Sequence, residues 1–179
     1  MIPVGRRYLY DMDCIFRNKY QTFSRGREPW EVIVRAQPGV VATIRTPDGF
    51  VLCRHGRLHG DSLECVRGYM ESDESAGQAA MREATEEIGL ASASITRVVN
   101  LGMERADDSW IDQSVYHVLI IAEPSESFRL QSSERVLGVE TLTLDDVRRR
   151  MVDGSITDGF TMAAFACYDA WSRVHLSSN

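Results

Sequence analysis

This chain of 179 residues has very little lysine, few cysteines and no long apolar run. Lys19 is the only lysine among 20 basic residues, and the net charge of −6 argues against a general nucleic-acid binder, which normally carries a basic patch. No apolar stretch has the length that a membrane helix needs, and the first residues lack the apolar core of a signal peptide. These absences predict a cytoplasmic protein with neither nucleic acid nor a membrane as a partner.

Cysteine and histidine are both sparse and scattered. The chain contains Cys14, Cys53, Cys65 and Cys167, and His55, His59, His117 and His175. Because no CxxC pair occurs, the cysteines are predicted to be buried, reduced thiols. The histidines show no metal-ligand spacing, so we expect structural or surface roles for them. The arginine bias suits bidentate phosphate recognition, but genomic composition explains it equally well.

The length fits one main domain with a small appendage. Residues 1–36 carry short strand-like pieces but too few residues for a core of their own, so they are predicted to form an N-terminal β segment that packs on the main domain, 37–179, or on a second subunit. Within the main domain, the turn at 46–49 predicts a hairpin. Strands are predicted at 95–101 and 115–122. Helices are predicted at 144–152, capped by Thr143, and from residues 155–158 onward.

One stretch, residues 68–90, stands out from the rest. Ser75 and Gln78 form a capping-box pair at the start of a predicted helix. Gly89 followed by Leu90 predicts a left-handed cap at its end. Good helix formers fill the interval, so a helix is expected from Ser75 to Ile88.

Three acidic residues of this helix, Glu83, Glu86 and Glu87, fall on one face at about 100° per residue. Like charges at this spacing repel. Arg82 is placed to reach Glu86, with Glu74 on the other side of its guanidinium, but one arginine does not balance these acids. The pattern therefore leaves two interpretations, a hard divalent cation held by carboxylate oxygens and a solvated acidic face.

The fixed positions of the stretch are Gly68, Glu74, Arg82-Glu83, Glu86-Glu87 and Gly89-Leu90. Their spacing resembles the complete Nudix box of the Nudix hydrolases. That resemblance implies an α/β fold, a Nudix-type α/β/α sandwich with a mixed sheet and the box helix against one face. It also implies a Mg²⁺ or Mn²⁺ site with Glu83 and Glu87 as first ligands, completed by Glu86 and the backbone carbonyl of Arg67. Glu87 is then a catalytic residue as well.

Outside the box, the chain is similar to the ADP-ribose and ADP-sugar pyrophosphatases of that family. The resemblance implies that Arg57 contacts substrate phosphates, that Trp30 stacks on adenine, that Glu31 reads its polar edge, and that Arg35 also binds substrate. A surface arginine and a core or interface tryptophan are the alternatives for Arg57 and Trp30. In that subfamily the adenine site is often shared across a domain-swapped homodimer, so a homodimer is expected.

Glu134 best matches the glutamate-rich loop in which the family places its catalytic base, although Gly138 stands where relatives commonly have another acid. The resemblance therefore implies hydrolysis of the diphosphate in a nucleoside diphosphate linked to another moiety, with ADP-ribose or an ADP-sugar giving AMP and a sugar phosphate. A nucleoside triphosphate pyrophosphatase is the sister alternative. The other class is a Nudix-fold module that senses a nucleotide without cleaving it. Such modules tend to lose acidic residues of the box, and this chain has all of them.

Overall fold

The computed structural model describes residues 14–17, 21–25, 32–107, 109–124, 128 and 136–176. The strands in these ranges are β1 (Cys14–Arg17), β2 (Gln21–Arg25), β3 (Val32–Ala36), β4 (Gly39–Thr46), β5 (Gly49–Arg57), β6 (Gly60–Glu64), β7 (Val66–Tyr69), β8 (Ile95–Glu104), β9 (Ile111–Asp112), β10 (Val115–Ala122) and β11 (Val136–Leu142). The α-helices are α1 (Ala76–Ile88), α2 (Leu144–Val152) and α3 (Gly159–His175).

A mixed sheet forms the centre of the molecule, in the order β11-β5-β4-β10-β8. The β4–β10 pair is parallel and its other neighbours are antiparallel. The hairpin predicted at 46–49 is confirmed, because β4 and β5 pair through Ile44–Thr46 before they diverge. Strands β6 and β7 fill the gap that this divergence opens, with Cys53 of β5 opposite Glu64 and Val41 of β4 opposite Arg67. This insertion brings the segment just before the box into the middle of the sheet.

Side-chain alternation along β5 divides the core into two layers. Val51 and Cys53 pack in a cluster with Ala84 and Ile88 of α1. The intervening residue, Leu52, packs in the other cluster, with side chains from α2 and α3. The sheet therefore lies between the box helix on one face and the two C-terminal helices on the other, which confirms the predicted α/β/α sandwich.

The box helix begins and ends as its sequence predicts. Ser75 is the N-cap, its hydroxyl accepts from the Gln78 amide at 3.3 Å, and Gln78 Oε1 accepts from the Ser75 amide at 2.9 Å. Gly89 ends the helix with a φ of 65°, a conformation that glycine adopts without a Cβ penalty. The cap predicted at Thr143 is also present at the start of α2, and Asp158 is the N-cap of α3.

A second, smaller sheet has the order β1-β2-β3-β9. Its last strand, Ile111–Asp112, comes from beyond residue 37 and runs parallel to β3. The amide of Val34 donates to the Trp110 carbonyl at 2.7 Å beside this pairing. The division into 1–36 and 37–179 stays a prediction.

Among the residues that the structure describes, no helix is both long enough and apolar enough to cross a membrane. Cys53 and Cys65 are buried free thiols, which agrees with the expectation for them, and Cys167 is free and partly buried. The side chain of Cys14 lies outside the described residues.

Candidate active site

A cavity of about 1170 Å³ opens between the box helix, the diverging strands and the small sheet. Helix α1 contributes the three glutamates that the sequence placed on one face, Glu83, Glu86 and Glu87. Strands β5 and β7 contribute Arg57 and Arg67. Carboxylates on one wall thus face guanidinium groups on another, an arrangement suited to a cation together with an anionic ligand.

Arg82 organises the acidic wall. Its Nε donates to Glu74 Oε1 at 3.0 Å, and its Nη1 donates to Glu83 at 2.7 Å and to Glu86 at 3.0 Å. Its Nη2 donates to the Tyr69 carbonyl at 2.8 Å, which fixes the loop before the helix. The contacts predicted between Arg82 and both Glu86 and Glu74 are confirmed. The hydrogen bond from Arg82 lowers the pKa of Glu74, so this carboxylate is ionised at neutral pH.

Gly68 allows the backbone of β7 to approach the acidic wall. A Cβ placed on Gly68 would overlap the carboxylate of Glu83, and no real side chain tolerates such a contact without a shift. The glycine therefore leaves the space in which the Glu83 carboxylate lies against β7.

The donors on this wall fit a hard divalent cation. Carboxylate oxygens are the ligands that Mg²⁺ and Mn²⁺ prefer, and Glu87 is buried with 5% of its surface exposed. Buried carboxylates in proteins are paired or coordinate metals. Glu83, Glu86 and Glu87 would hold the ion, together with the carbonyl of Arg67.

A buried glutamate, Glu64, holds the arginines of the opposite wall. Glu64 Oε1 accepts from Arg57 Nε at 2.8 Å, and Oε2 accepts from Arg57 Nη2 and from Arg67 Nη2, the latter at 3.0 Å. Arg67 also pairs with Asp158 at 3.5 Å and stacks over the Phe160 ring, 5.1 Å from its centroid. Sequence reasoning missed Glu64, because nothing in its spacing shows that it will lie between two arginines.

Burial would by itself raise the pKa of Glu64, but the Arg57 hydrogen bond and the Arg67 charge more than offset it and lower the pKa to about 2. The same contact with Glu64 raises the pKa of Arg57. Both groups are therefore charged at neutral pH. Glu64 and Asp158 hold Arg57 and Arg67 in this wall as charged, planar donors, which suits phosphate oxygens.

His55, for which the sequence predicted a structural or surface role, is a histidine of this cavity. It is buried, lines the cavity, and its Nε2 lies 3.9 Å from Glu87 Oε2. One ligand atom each from Cys53, His55 and Glu87 lie within 4.8 Å of one another. Burial, reinforced by the charge of Arg57, lowers the pKa of His55, so the imidazole is neutral at pH 7. Sequence spacing could not reveal this group, because its members come from a strand and a helix far apart in the chain.

The remaining predicted site residues are placed as follows. Arg35 lies in β3 beside Val34 and Ala36, which line the cavity, but its own guanidinium pairs with Asp112 at 3.5 Å. Trp30, Glu31 and Glu134 lie outside the described residues. Their roles in substrate binding and as a base stay predictions.

The mixed sheet between two helical layers defines an α/β enzyme fold. Its cavity contains carboxylates and arginines, which suit a metal ion and a phosphate ligand. A model of the NUDIX domain matches residues 35–159 of the chain. The chain belongs to this family, the Nudix hydrolases, as its box sequence indicated.

Solved structures support the fold. The crystal structure of an ADP compounds hydrolase aligns with a TM-score of 0.65 at 16% identity, over 90% of this chain and 91% of that one. A NUDIX hydrolase from Nitrosomonas europaea aligns with a TM-score of 0.54 at 19% identity, over 75% of this chain and 88% of that one. No curated protein matches the sequence.

Proposed function

We propose that this protein hydrolyses the diphosphate of a nucleoside diphosphate linked to a second moiety, with ADP-ribose or an ADP-sugar as substrate and with Mg²⁺ or Mn²⁺ as cofactor. The products would be AMP and a sugar phosphate. The observation that carries the proposal is that Glu83, Glu86 and Glu87 share one cavity with Arg57 and Arg67. The first group suits a hard cation and the second suits diphosphate oxygens.

Each wall has a separate task in this proposal. Arg57 and Arg67 bind and orient the diphosphate, with Glu64 holding their guanidinium planes. Arg82 keeps the box carboxylates in place and ties the Tyr69 carbonyl to the helix. When bound, the metal ion would neutralise phosphate oxygens and lower the pKa of water. Glu87, and Glu134 as the predicted base, would accept a proton.

The volume of the cavity favours a substrate with groups on both sides of the diphosphate. Small-molecule sites usually measure about 300–1,000 Å³, and this cavity of about 1170 Å³ is somewhat larger than that. Val34 of the small sheet and Phe160 of α3 line it as well, and such apolar surface suits a base or a sugar. The proposed stacking of Trp30 on adenine, the contacts of Glu31, and a homodimer that shares this site rest on the resemblance to the ADP-ribose pyrophosphatases.

Product analysis separates the proposed function from its alternatives. The protein would be incubated, with Mg²⁺ and with EDTA, with ADP-ribose, other nucleotide sugars, dinucleotide polyphosphates and nucleoside triphosphates, and the products resolved by anion-exchange chromatography. We expect AMP and ribose phosphate from ADP-ribose, with Mg²⁺ only. Pyrophosphate released fastest from a triphosphate would indicate the pyrophosphatase instead. Binding of these ligands without turnover would indicate a sensing module.

Glu87→Gln tests the role of the box carboxylate. We expect turnover to fall by at least about 100-fold, since the variant loses both a metal ligand and a proton acceptor. Circular dichroism should show an unchanged fold, because the amide has the same shape. The matched control is Glu123→Gln, which changes an exposed glutamate that does not line the cavity. Near-wild-type turnover in Glu87→Gln would contradict the proposed site.

A further inference from the structure

Strand β5 presents an unusual pair of side chains to the box helix. Alternation places Cys53 and His55 on the face that packs against α1, in line with Val51. Cys53 is fully buried within the apolar layer, and His55 lies at the end of the row, where the layer meets the cavity. Glu87 reaches the same point from the helix.

The three side chains offer a sulfur, an imidazole nitrogen and a carboxylate oxygen within 4.8 Å of one another. Two ligand atoms bound to one tetrahedral zinc ion lie about 3.3–3.8 Å apart, given bond lengths of about 2.0–2.3 Å. The separation of 3.9 Å between His55 Nε2 and Glu87 Oε2 is close to that value. Small side-chain rotations would therefore bring the donors to bonding distance.

A second observation points to a ligand at this place. His55 is 4% exposed, and in the part of the chain that the structure describes its Nε2 has no hydrogen-bond partner. A buried ring nitrogen without a hydrogen bond is costly, and nearly all buried polar atoms in proteins are satisfied. Because His55 and Glu87 both line the cavity, a cation has a route to this nitrogen from solvent.

We propose that Cys53, His55 and Glu87 form a binding site for a thiophilic divalent cation of the Zn²⁺ type, which shares Glu87 with the hard-cation site of the three box glutamates. A soft sulfur and a borderline nitrogen favour Zn²⁺ over Mg²⁺, which prefers oxygen ligands. Three protein ligands would leave one position of a four-coordinate ion for water. Binding breaks the S–H bond of Cys53, forms a bond from sulfur to the metal, and releases one proton to solvent.

A Zn²⁺ ion bound at this site would also affect catalysis. This effect rests on the proposed function, but the binding of the ion does not. Glu87 belongs to both ligand sets, so a Zn²⁺ ion on Cys53 and His55 would withdraw this carboxylate from the Mg²⁺ site. Zn²⁺ would then inhibit Mg²⁺-supported turnover. Removal of Cys53 would relieve this inhibition and leave the box glutamates intact.

Binding of Co²⁺ to the full chain, without substrate, tests the proposal directly. Cobalt bound to a thiolate gives an intense sulfur-to-metal charge-transfer absorption, which carboxylate ligands alone do not give. We expect this band in the wild-type protein, its displacement by Zn²⁺, and its persistence in excess Mg²⁺. A wild-type protein saturated with Co²⁺ that shows no thiolate band would overturn the proposal without any need for a variant.

Two cysteine variants show which cysteine sulfur binds the metal. Cys53→Ala should abolish the band and weaken Zn²⁺ binding at least about tenfold in competition with a chromophoric chelator. Cys65→Ala is the matched control, because Cys65 is equally buried but packs in the opposite core layer, so its band and affinity should equal those of wild type. An unchanged band in Cys53→Ala, or an equal loss in both variants, would refute the site. Intact Zn²⁺ binding in a protein that hydrolyses nothing would leave this inference standing and reject only the proposed function.

Discussion

Arg57 donates from its Nε to Glu64 Oε1 at 2.8 Å, and the acceptor is a glutamate of which only 2% is exposed. In the antiparallel pairing of β5 and β6, Glu64 lies opposite Cys53, which is four residues before Arg57 on the same face of β5, so the long Arg57 side chain reaches Glu64 along the strand. Arg67 shares the same carboxylate. A single buried acid thus fixes both arginines of the cavity wall, and its loss would leave two charged side chains without their common partner.

Glu64→Gln is expected to destabilise the protein at neutral pH. The pKa of Glu64 falls from 4.5 to about 2 in the folded protein, so its contribution to stability is complete above pH 4.5 and is lost as the pH falls toward 2. Allowing for solvent screening at the cavity, this contribution is about 2 kcal/mol. Urea unfolding at pH 7 and at pH 3 measures it. The wild type and the variant should differ most at pH 7 and converge in acid, and an equal difference at both pH values would contradict the ionised pair.

Gly68→Ala is expected to reduce turnover with only a small loss of stability. The added Cβ would overlap the Glu83 carboxylate, which is the far end of a flexible side chain and therefore swings aside at low cost to the fold. A displaced Glu83 no longer shares the metal site with Glu87. Steady-state kinetics at saturating substrate should show kcat lowered by about tenfold or more, together with a weaker dependence on Mg²⁺.

Gly138→Ala is the matched control for this prediction. Gly138 also lies in a strand, β11, but a Cβ there meets no atom within 4 Å, and its φ is not positive. This variant should keep wild-type kcat and Mg²⁺ dependence. Equal kinetics for the Gly68 and Gly138 variants would show that the close approach to Glu83 has no functional role.

Much of the fold follows from short-range sequence signals. The box helix was predictable to within one residue, since Ser75, Gln78 and Gly89 act through local hydrogen bonds and backbone conformation. The strand at 115–122 was predictable from its apolar, β-branched content. The acidic face was predictable as well, because helical periodicity alone brings Glu83, Glu86 and Glu87 together.

The rest of the site depends on long-range register. Glu64 meets Arg57 and Arg67 only because β6 and β7 insert between two diverging strands. His55 meets Glu87 only because β5 packs under the box helix. No spacing within the sequence encodes either contact. For the same reason, the spacing of the histidines indicated no metal site, although His55 lies beside Glu87.

Ser75→Ala tests how much the capping box contributes to the site's scaffold. The variant removes the hydroxyl that accepts from the Gln78 amide at 3.3 Å, a loss that typically costs about 1 kcal/mol. Thermal unfolding should shift down by roughly 2–4 °C for a chain of this size. Ser92→Ala, at an exposed position in the short turn after the helix, is the control and should leave Tm unchanged. Equal Tm values for the two variants would indicate that the cap is not formed in solution.

Arg57→Lys tests the proposed recognition of the diphosphate. Lysine keeps the positive charge but lacks the planar fork that binds a carboxylate and phosphate oxygens at the same time. We expect KM for the preferred diphosphate substrate to rise about tenfold, equivalent to about 1.4 kcal/mol, with a smaller change in kcat. Arg54→Lys is the control, because Arg54 is the same residue type on the same strand but pairs with Glu140 and does not line the cavity. Matching KM values for both variants and the wild type would remove Arg57 from the substrate site and leave it as the structural partner of Glu64.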